Sequence, residues 1–332
     1  MKYKQAGMIG VALSLAVTGL ACNPVVSTSV LKPSVLQGSV PLLSKTSAVV
    51  TETEAPLSYK LETYNSRAMG GRRTYGVSLP PGYEENPNQH YPVVFLLHGG
   101  HGTPTSWFEK DKGAALGTLQ QLYTSGKLPP CIIITPDGYD ERGTSSSRDP
   151  QYIDGPNGKI DTDIGDELVR VVQSRYRTLP APDFWAIGGL SSGAWGAINV
   201  GLHHLNHFSI LFSHSGYFRD ASGSKNSPMD FVKMLSSQQR RQLRIYLDTG
   251  KEDTSFLNEN REFHAILNRL KVTNILHEFP GEHTWRYWRQ HLANSLAFVG
   301  EQFEHAQEPQ LSENQGFDSA NRSTISKIGS RE

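Results

Sequence analysis

Short apolar runs alternate with amphipathic helical patterns through most of this 332-residue chain. The runs that we predict as strands are residues 92–98, 131–135, 184–189, 209–213, 244–248 and 274–279. The clearest helical periods lie at residues 163–176, 256–270 and 286–303. Strands that alternate with helices favour a parallel sheet covered on both faces. The sequence therefore predicts an α/β fold with a mostly parallel central sheet, to which residues 74–79 add an antiparallel edge strand.

One sharp turn is predicted between an apolar strand and a helix of small residues. Its sequence is Gly189-Leu190-Ser191-Ser192-Gly193. A serine flanked by glycines at such a turn is typical of a nucleophile elbow, which holds the hydroxyl out into an active site. The glycines are needed because Cβ atoms beside the serine would not fit in so tight a turn. A glycine-rich turn with a surface serine is the alternative, so the prediction of Ser191 as a nucleophile depends on its partners.

A serine hydroxyl needs a base to take its proton, normally a histidine that a carboxylate orients. Behind a nucleophile elbow the order along the chain is serine, acid, histidine, each on a loop after a later strand. His283 follows the last predicted strand and is our candidate base. The candidate acid is Asp253, in the loop after strand 244–248, and the alternative is Asp248 at the end of that strand. We expect Asp248 to organise the loop through backbone N–H groups instead.

The negative charge that develops on an attacked carbonyl oxygen needs preorganised N–H donors. One donor is expected from the backbone of Ser192, directly after the nucleophile. The second is expected from the loop Gly99-Gly100-His101-Gly102, where glycines let the backbone approach a substrate closely. We assign this second donor to Gly100, with His101 as the alternative. His101 and Trp285 are also the candidates to line a substrate pocket.

Twelve histidines occur in the chain, and His203 and His207 lie four residues apart on one predicted helix. That spacing could direct two metal ligands to one face. No H-E-x-x-H glutamate accompanies them, and no third ligand is evident. The sequence therefore predicts a partly exposed helix surface at these histidines, with no metal site.

The N-terminus has the pattern of an export signal. Lys2 and Lys4 precede an apolar run at residues 8–17, which is too short to span a bilayer comfortably. Cys22 follows Gly19-Leu20-Ala21, which favours a lipoprotein signal over residues 1–21, with cleavage by ordinary signal peptidase as the alternative. The prediction is an exported protein, periplasmic or at the cell surface, that meets a membrane only through a lipid on Cys22.

Composition divides the rest of the chain into three parts. Residues 22–57 are rich in Ser, Thr, Val and Pro and predict a flexible tether, whereas residues 307–332 are polar and predict a disordered tail. Residues 58–306 between them are predicted to form one catalytic domain, in which Cys131 opens an apolar run as a buried, inert thiol. The 32 basic and 32 acidic side chains balance, so charge gives no reason to expect nucleic acid as a partner.

Several motifs together resemble the putative-esterase family of α/β hydrolases, which includes esterase D, feruloyl esterases, enterochelin esterases and mycolyltransferases. The motifs are YGVSLPPGY at 75–83, YPVVFLLHG at 91–99, PDG at 136–138, EL at 167–168, GLSSG at 189–193 and GEHTW at 281–285. The resemblance implies an α/β-hydrolase fold and carboxylic ester hydrolysis without cofactor or metal. It also implies Ser191 as nucleophile, His283 as base and Asp253 as acid. Ser192 departs from the methionine or glutamine that many members have there, so their packing at that position does not carry over.

Three functions are compatible with these residues. The first is an exported serine carboxylesterase that acts through an acyl-enzyme on small acyl, aryl or carbohydrate esters. The second is an acyltransferase on the same scaffold, in which a sugar or lipid hydroxyl replaces water. The third is a non-catalytic binding module on a hydrolase fold. The complete set of Ser191, Asp253 and His283 disfavours the third function, and the first is our prediction.

Overall fold

The described part of the chain is built around one large sheet. In this computed structural model that part comprises residues 56–143 and 149–328, with side chains described as far as residue 307. The strands are β1 Lys60–Ser66, β2 Gly71–Ser78, β3 Val93–Leu97, β4 Ile132–Pro136, β5 Asp154–Gly155, β6 Gly158–Lys159, β7 Trp185–Leu190, β8 Ile210–His214, β9 Arg244–Gly250 and β10 Thr273–Phe279. The large sheet has the order β1-β2-β4-β3-β7-β8-β9-β10, and β5 and β6 form a separate small hairpin.

Helices cover both faces of this sheet. They are α1 Ala115–Thr124, α2 Ile160–Thr162, α3 Val169–Arg175, α4 Ser192–His203, α5 Pro228–Met234, α6 Ser237–Gln242, α7 Leu257–Arg269 and α8 Trp285–Ile328. A π-helical segment, Asp163–Leu168, joins α2 to α3, and a 3-10 turn, Ser224–Asn226, precedes α5. Strands β3, β4, β7 and β8 are buried at every residue, as strands covered on both faces must be. The predicted α/β fold with a mostly parallel sheet is therefore confirmed.

The antiparallel edge of the sheet differs from the prediction. Residues 74–79 were expected at the edge, but β2 lies one place inside it and pairs with both β1 and β4. The true edge strand is β1, which the sequence did not reveal. Its only buried residues are Tyr64 and Ser66, and the others, including Glu62, Thr63 and Asn65, are partly or fully exposed. An edge strand with a solvated face lacks the apolar run by which the inner strands were recognised.

The C-terminal helix also differs from the prediction. Residues 307–332 were expected to be a disordered tail, but α8 continues in the structure to Ile328. The first part of α8 packs on the core through Leu292, Leu296, Val299 and Phe303, all fully buried. Beyond residue 307 the sequence offers few apolar residues, which is why a helix was not predicted there.

The parallel part of the sheet collects the candidate functional residues at one edge. Strands β3, β7, β8, β9 and β10 are all parallel, so their carboxyl ends lie together. The loop after β3 contains residues 99–102, and Ser191 follows β7 directly. Asp253 lies after β9 and His283 after β10. Open α/β sheets bind their ligands at this carboxyl edge, so a functional site is expected here.

Candidate active site

Ser191 occupies the turn between β7 and α4 in a strained backbone conformation, with φ 55° and ψ −125°. The Ser191 N–H donates to the carbonyl oxygen of His214 across 2.9 Å, which holds the turn from below. A Cβ atom at Gly189 would lie 2.4 Å from the carbonyl oxygen of Gly193. A Cβ atom at Gly193 would lie 2.4 Å from the carbonyl oxygen of His98. Because these obstacles are backbone atoms, both positions require glycine.

His283 lies between Ser191 and Asp253 and contacts both. Its Nε2 is 2.9 Å from Ser191 Oγ, and its Nδ1 is 2.7 Å from Asp253 Oδ2. A carboxylate can only accept, so Nδ1 carries a proton and Nε2 is left to accept the serine hydroxyl proton. The Asp253 side chain is 2% exposed, whereas the His283 ring is 31% exposed. The structure thus connects the hydroxyl of Ser191, the imidazole of His283 and the buried carboxylate of Asp253 by two successive hydrogen-bond contacts.

Asp248, the alternative acid, does not reach His283. Its side chain is fully buried, with Oδ2 2.8 Å from His214 Nδ1. Its Oδ1 accepts a hydrogen bond of 3.1 Å from the Tyr287 hydroxyl. The expectation that Asp248 organises the following loop through backbone N–H groups is wrong. Asp248 lies within β9, and its side chain contacts His214 of β8 and Tyr287 of α8.

Glu252 joins the loop of the acid to the loop of the base. The Glu252 N–H donates to the carbonyl oxygen of Gly281 across 3.2 Å, and the Gly281 N–H donates back to the Glu252 carboxylate. This reciprocal pair of hydrogen bonds sets the spacing between Asp253, one residue after Glu252, and His283, two residues after Gly281. This role of Glu252 could not be predicted, since no sequence pattern reports a contact between two loops.

The candidate oxyanion donors are Ser192, which follows Ser191 directly, and Gly100, in the loop after β3. Ser192 is the first residue of α4, so its N–H is among those at a helix N-terminus that lack a partner within the helix. Gly100 lies in the loop after β3, where a Cβ atom would come within 2.2 Å of Asp149 Oδ1. Gly99 lets this loop lie directly against the serine turn, because a Cβ atom at Gly99 would be only 3.0 Å from the Ser191 Cβ.

His98 fixes the loop that contains Gly100, and sequence analysis missed this role. Its Nε2 accepts from the Gly138 N–H across 3.1 Å, and its Nδ1–H donates to the Gly99 carbonyl oxygen across 3.0 Å. Burial lowers the pKa of His98, so the ring stays neutral, as this pair of hydrogen bonds requires. A histidine that ends an apolar strand directly before a glycine loop is the signal that could have indicated it.

Two aromatic rings lie against His283, and neither belongs to Trp285, the aromatic residue that was predicted to line the pocket. The His283 ring lies 4.6 Å from the Phe256 ring and 4.8 Å from the Trp288 ring, centroid to centroid. Trp285, the predicted pocket residue, packs edge-on against Trp107 at 5.7 Å and is half-buried. The other predicted pocket residue, His101, is exposed in the loop after β3 with φ 58°. Phe256 and Trp288 have no periodic signal that would have indicated this position.

A cleft of about 520 Å³ opens next to the loops of the acid and the base. Its lining residues include Glu252, Gly281, Glu282 and Thr284, which flank Asp253 and His283 in the sequence. Arg286 and Gln290 of α8 complete its polar rim, and Tyr287 contributes an aromatic surface.

Of the two histidines that were expected on one helix, only His203 lies in α4, which ends there, and each of the two contacts a carboxylate. His203 Nδ1 is 2.7 Å from Asp161 Oδ2, and His203 Nε2 is 2.9 Å from the carbonyl oxygen of Lys225. The side chains of His203 and His207 are 7% and 15% exposed, and both residues have intermediate exposure, in agreement with the predicted partly exposed surface. Among the described residues, no group of three or more metal-ligating side chains is placed to hold a metal ion.

Comparison with known proteins identifies the family. The sequence model of a family described as "Putative esterase" matches residues 66–299 of this chain. The chain belongs to this family. The match confirms the resemblance that the motifs predicted, and it includes the serine turn and both loops of the candidate acid and base.

Individual relatives are distant and mostly longer. An esterase of Mycobacterium tuberculosis is 26% identical over 267 residues, which cover 67% of this chain and 55% of that protein. An acetyl esterase of Caldicellulosiruptor saccharolyticus is 22% identical over 241 residues, 64% of this chain and 84% of that protein. The chain spans about half the length of the first curated relatives it matches, at 55%.

The solved structure of a ferulic acid esterase is similar to this chain, with a TM-score of 0.68 and 27% identity. The likeness covers 75% of this chain and 100% of that one, which confirms the α/β-hydrolase fold. Within the residues described, no helix has the length and apolar character needed to cross a membrane. The predicted signal at residues 1–21, Cys22 and nearly all of the predicted tether at 22–57 lie outside those residues.

Proposed function

We propose that this protein is an exported serine esterase that hydrolyses carboxylic esters through an acyl-enzyme on Ser191. The observation that carries the proposal is the line of contacts from Ser191 Oγ to His283 Nε2 and from His283 Nδ1 to Asp253 Oδ2, at 2.9 and 2.7 Å. These distances are within hydrogen-bond reach of a nucleophile, a base and an orienting acid. The same three groups in the same chain order act as a triad in α/β hydrolases.

In the first half of the reaction, Ser191 Oγ attacks the carbonyl carbon of the ester while His283 Nε2 takes the hydroxyl proton. Asp253 stabilises the imidazolium that forms and keeps it in the required orientation. The N–H groups of Ser192 and Gly100 donate to the carbonyl oxygen as it becomes negative. His283 then returns the proton to the leaving alcohol, the carbon–oxygen bond to that alcohol breaks, and the acyl group remains on Ser191.

In the second half, water replaces the alcohol. His283 takes a proton from the water as its oxygen attacks the acyl carbonyl, and the same N–H groups stabilise the second oxyanion. Return of the proton to Ser191 Oγ releases the carboxylic acid and restores the enzyme. Each of these proton transfers is supplied by His283, so the proposed reaction uses no metal ion and no cofactor.

The proposed substrates are small-molecule aryl or acetyl esters, including those borne by carbohydrates. Phe256 and Trp288 place aromatic surface against the catalytic imidazole, which favours an apolar or aromatic acyl group beside it. The named activities of two relatives, acetyl esterase and ferulic acid esterase, lie within this range. Exposed His101 and the cleft beside His283 are proposed to contact the parts of the substrate farther from the ester.

The proposed location is outside the cytoplasm, with Cys22 as a lipid anchor and residues 58–306 as the catalytic domain. The basis is the sequence of residues 1–22, with Lys2, Lys4, the apolar run and Cys22. Mass spectrometry of the mature N-terminus tests it, with Cys22→Ser as the control. A mature chain that begins at an acylated Cys22 would support the anchor, whereas an unmodified N-terminus or an uncleaved signal would contradict it.

The activity is tested by hydrolysis of p-nitrophenyl acetate, p-nitrophenyl butyrate and methyl ferulate. Ser191→Ala should lower kcat/KM by at least about 10³-fold, because the members of a triad act as a unit. The matched control is Ser174→Ala, which changes a surface serine of α3. Retention of activity in Ser191→Ala would contradict the proposal. Ser191-dependent product that appears only when a sugar or lipid alcohol is added would identify an acyltransferase instead.

A further inference from the structure

Four polar side chains lie enclosed in the core beneath the candidate triad. His214 ends β8, Asp248 lies in β9, and Tyr287 and Ser295 lie in α8. His214, Asp248 and Ser295 are 0% exposed, and Tyr287 is 3% exposed. Polar groups at this depth cost free energy unless each has a partner. We refer to these four residues as the buried network.

The contacts within the buried network leave little freedom of movement. The Ser295 hydroxyl lies 2.9 Å from His214 Nε2 and 3.1 Å from the carbonyl oxygen of Leu292. His214 Nδ1 is 2.8 Å from Asp248 Oδ2, and the Tyr287 hydroxyl is 3.1 Å from Asp248 Oδ1. Burial and the charge of Asp248 raise the pKa of Tyr287, so its hydroxyl keeps the proton that it donates. The Asp248 carboxylate is thus hydrogen-bonded to Tyr287 through Oδ1, and its Oδ2 lies at ion-pair distance from His214.

One end of the network supports the nucleophile. His214 is paired with Leu190 of β7 on one side and with Asp248 of β9 on the other. The carbonyl oxygen of His214 accepts the Ser191 N–H across 2.9 Å. Because the Ser191 backbone is strained, it keeps its position only where its surroundings determine it. A displacement of His214 would therefore move Ser191.

The other end of the network supports the base. Tyr287 lies in the first turn of α8, four residues after His283, and its N–H is 3.4 Å from Thr284 Oγ1. A Cβ atom at Gly281 would lie 2.7 Å from the Tyr287 ring, so the ring packs directly against the loop that contains His283. The hydrogen bond from Tyr287 to Asp248 fixes how far the Tyr287 ring extends into the core.

We propose that Tyr287, Asp248 and His214 are positioning residues that hold Ser191 and His283 at their reacting distance. The buried network is a continuous path of contacts between the nucleophile and the base that bypasses the surface loops. Misplacement of reacting groups by 1 Å can lower a rate about 100-fold, so a shift of a fraction of 1 Å is enough to be measured. The inference rests on the proposed function, because it requires Ser191 and His283 to react with each other.

The test is Tyr287→Phe, which removes one hydroxyl and keeps the ring against Gly281. Its matched control is Tyr64→Phe in β1, at the opposite edge of the sheet. Tyr64 is also buried, and its hydroxyl also donates to a buried carboxylate, Asp163, at 2.7 Å. Both variants should lower the melting temperature by a similar few degrees. Tyr287→Phe should lower kcat about tenfold with KM within twofold of the wild type, whereas Tyr64→Phe should leave kcat within twofold.

A second pair of variants keeps the test decisive if Tyr287→Phe does not fold. Ser295→Ala removes the hydroxyl that hydrogen-bonds His214 Nε2, and Ser66→Ala removes a buried hydroxyl of β1 that donates to Glu167. Ser295→Ala should lower kcat severalfold more than Ser66→Ala at equal loss of melting temperature. Equal kcat within each pair would overturn the positioning role while leaving the proposed function intact. Failure of the proposed function itself would be recognised separately, by wild-type activity that does not depend on Ser191.

Discussion

Replacement of the candidate acid by its amide, Asp253→Asn, removes one charge and changes almost no volume. Asp253 Oδ2 is 2.7 Å from His283 Nδ1, and the carboxylate is 2% exposed. In the transition state His283 is positively charged, and two unit charges with centres about 4 Å apart attract by about 4 kcal/mol at an effective dielectric constant near 20. Since about 1.4 kcal/mol changes a rate tenfold, we expect kcat/KM to fall about 10³-fold.

The comparison variant is Asp248→Asn, the same chemical change five residues earlier. Asp248 contacts His214 and Tyr287 instead of His283, so its replacement should lower kcat only about tenfold through misplacement of the triad. Each replacement changes a buried carboxylate, so both variants are assayed on p-nitrophenyl acetate at a temperature where circular dichroism shows them folded. A larger loss of activity in folded Asp248→Asn than in folded Asp253→Asn would refute the assignment of the acid.

Three further predictions follow from contacts outside the triad's own hydrogen bonds. Gly193→Ala places a Cβ atom 2.4 Å from the His98 carbonyl oxygen, so it should lower the melting temperature by several degrees and abolish hydrolysis; wild-type values for both would contradict the steric account. Burial disfavours the charged form of His203, but the hydrogen bond and charge of Asp161 outweigh it and raise the pKa of His203. The stability that this raised pKa contributes is complete below the unfolded-state pKa of about 6.5 and is lost as the pH rises through the folded-state pKa. The difference in unfolding free energy between wild type and His203→Gln, measured in urea, should therefore shrink over that pH range. A difference that stays constant with pH would contradict this. Burial raises the pKa of Cys131 to about 12, against the opposing effect of a hydrogen bond from Tyr123. In Cys22→Ser protein at pH 8, a thiol reagent should therefore react with Cys131 only after unfolding. Rapid reaction of the native protein would contradict the burial of this thiol.

The inner strands and the site edge could be predicted because their signals are local. Fully buried parallel strands are continuous apolar runs, and β3, β4, β7 and β8 are buried at every residue. The turn at Ser191 is recognisable because only glycine fits on either side of it. Strand β1 was missed because an edge strand with one solvated face needs no such run, and Glu62, Thr63 and Asn65 give it the composition of a loop.

The contacts around His283 could not be predicted because they join separate loops. Asp248 and Asp253 follow the same strand, and what distinguishes them is the direction of each side chain. Asp248 is still within β9, paired in register with His214, so it faces the core, whereas Asp253 lies in the loop beyond the sheet. Likewise, the proximity of Phe256 and Trp288 to His283 depends on how two loops fold together, for which one sequence has no periodic signal.

The most direct test of the proposed acyl-enzyme is the mass of the protein during turnover. Wild-type protein mixed with p-nitrophenyl butyrate and quenched in acid within the first turnovers should gain the mass of one butyryl group. Peptide mapping should locate that group on Ser191, and Ser191→Ala should gain none. An acyl group on another residue, or an equal gain in Ser191→Ala, would contradict the assignment of Ser191 as the nucleophile.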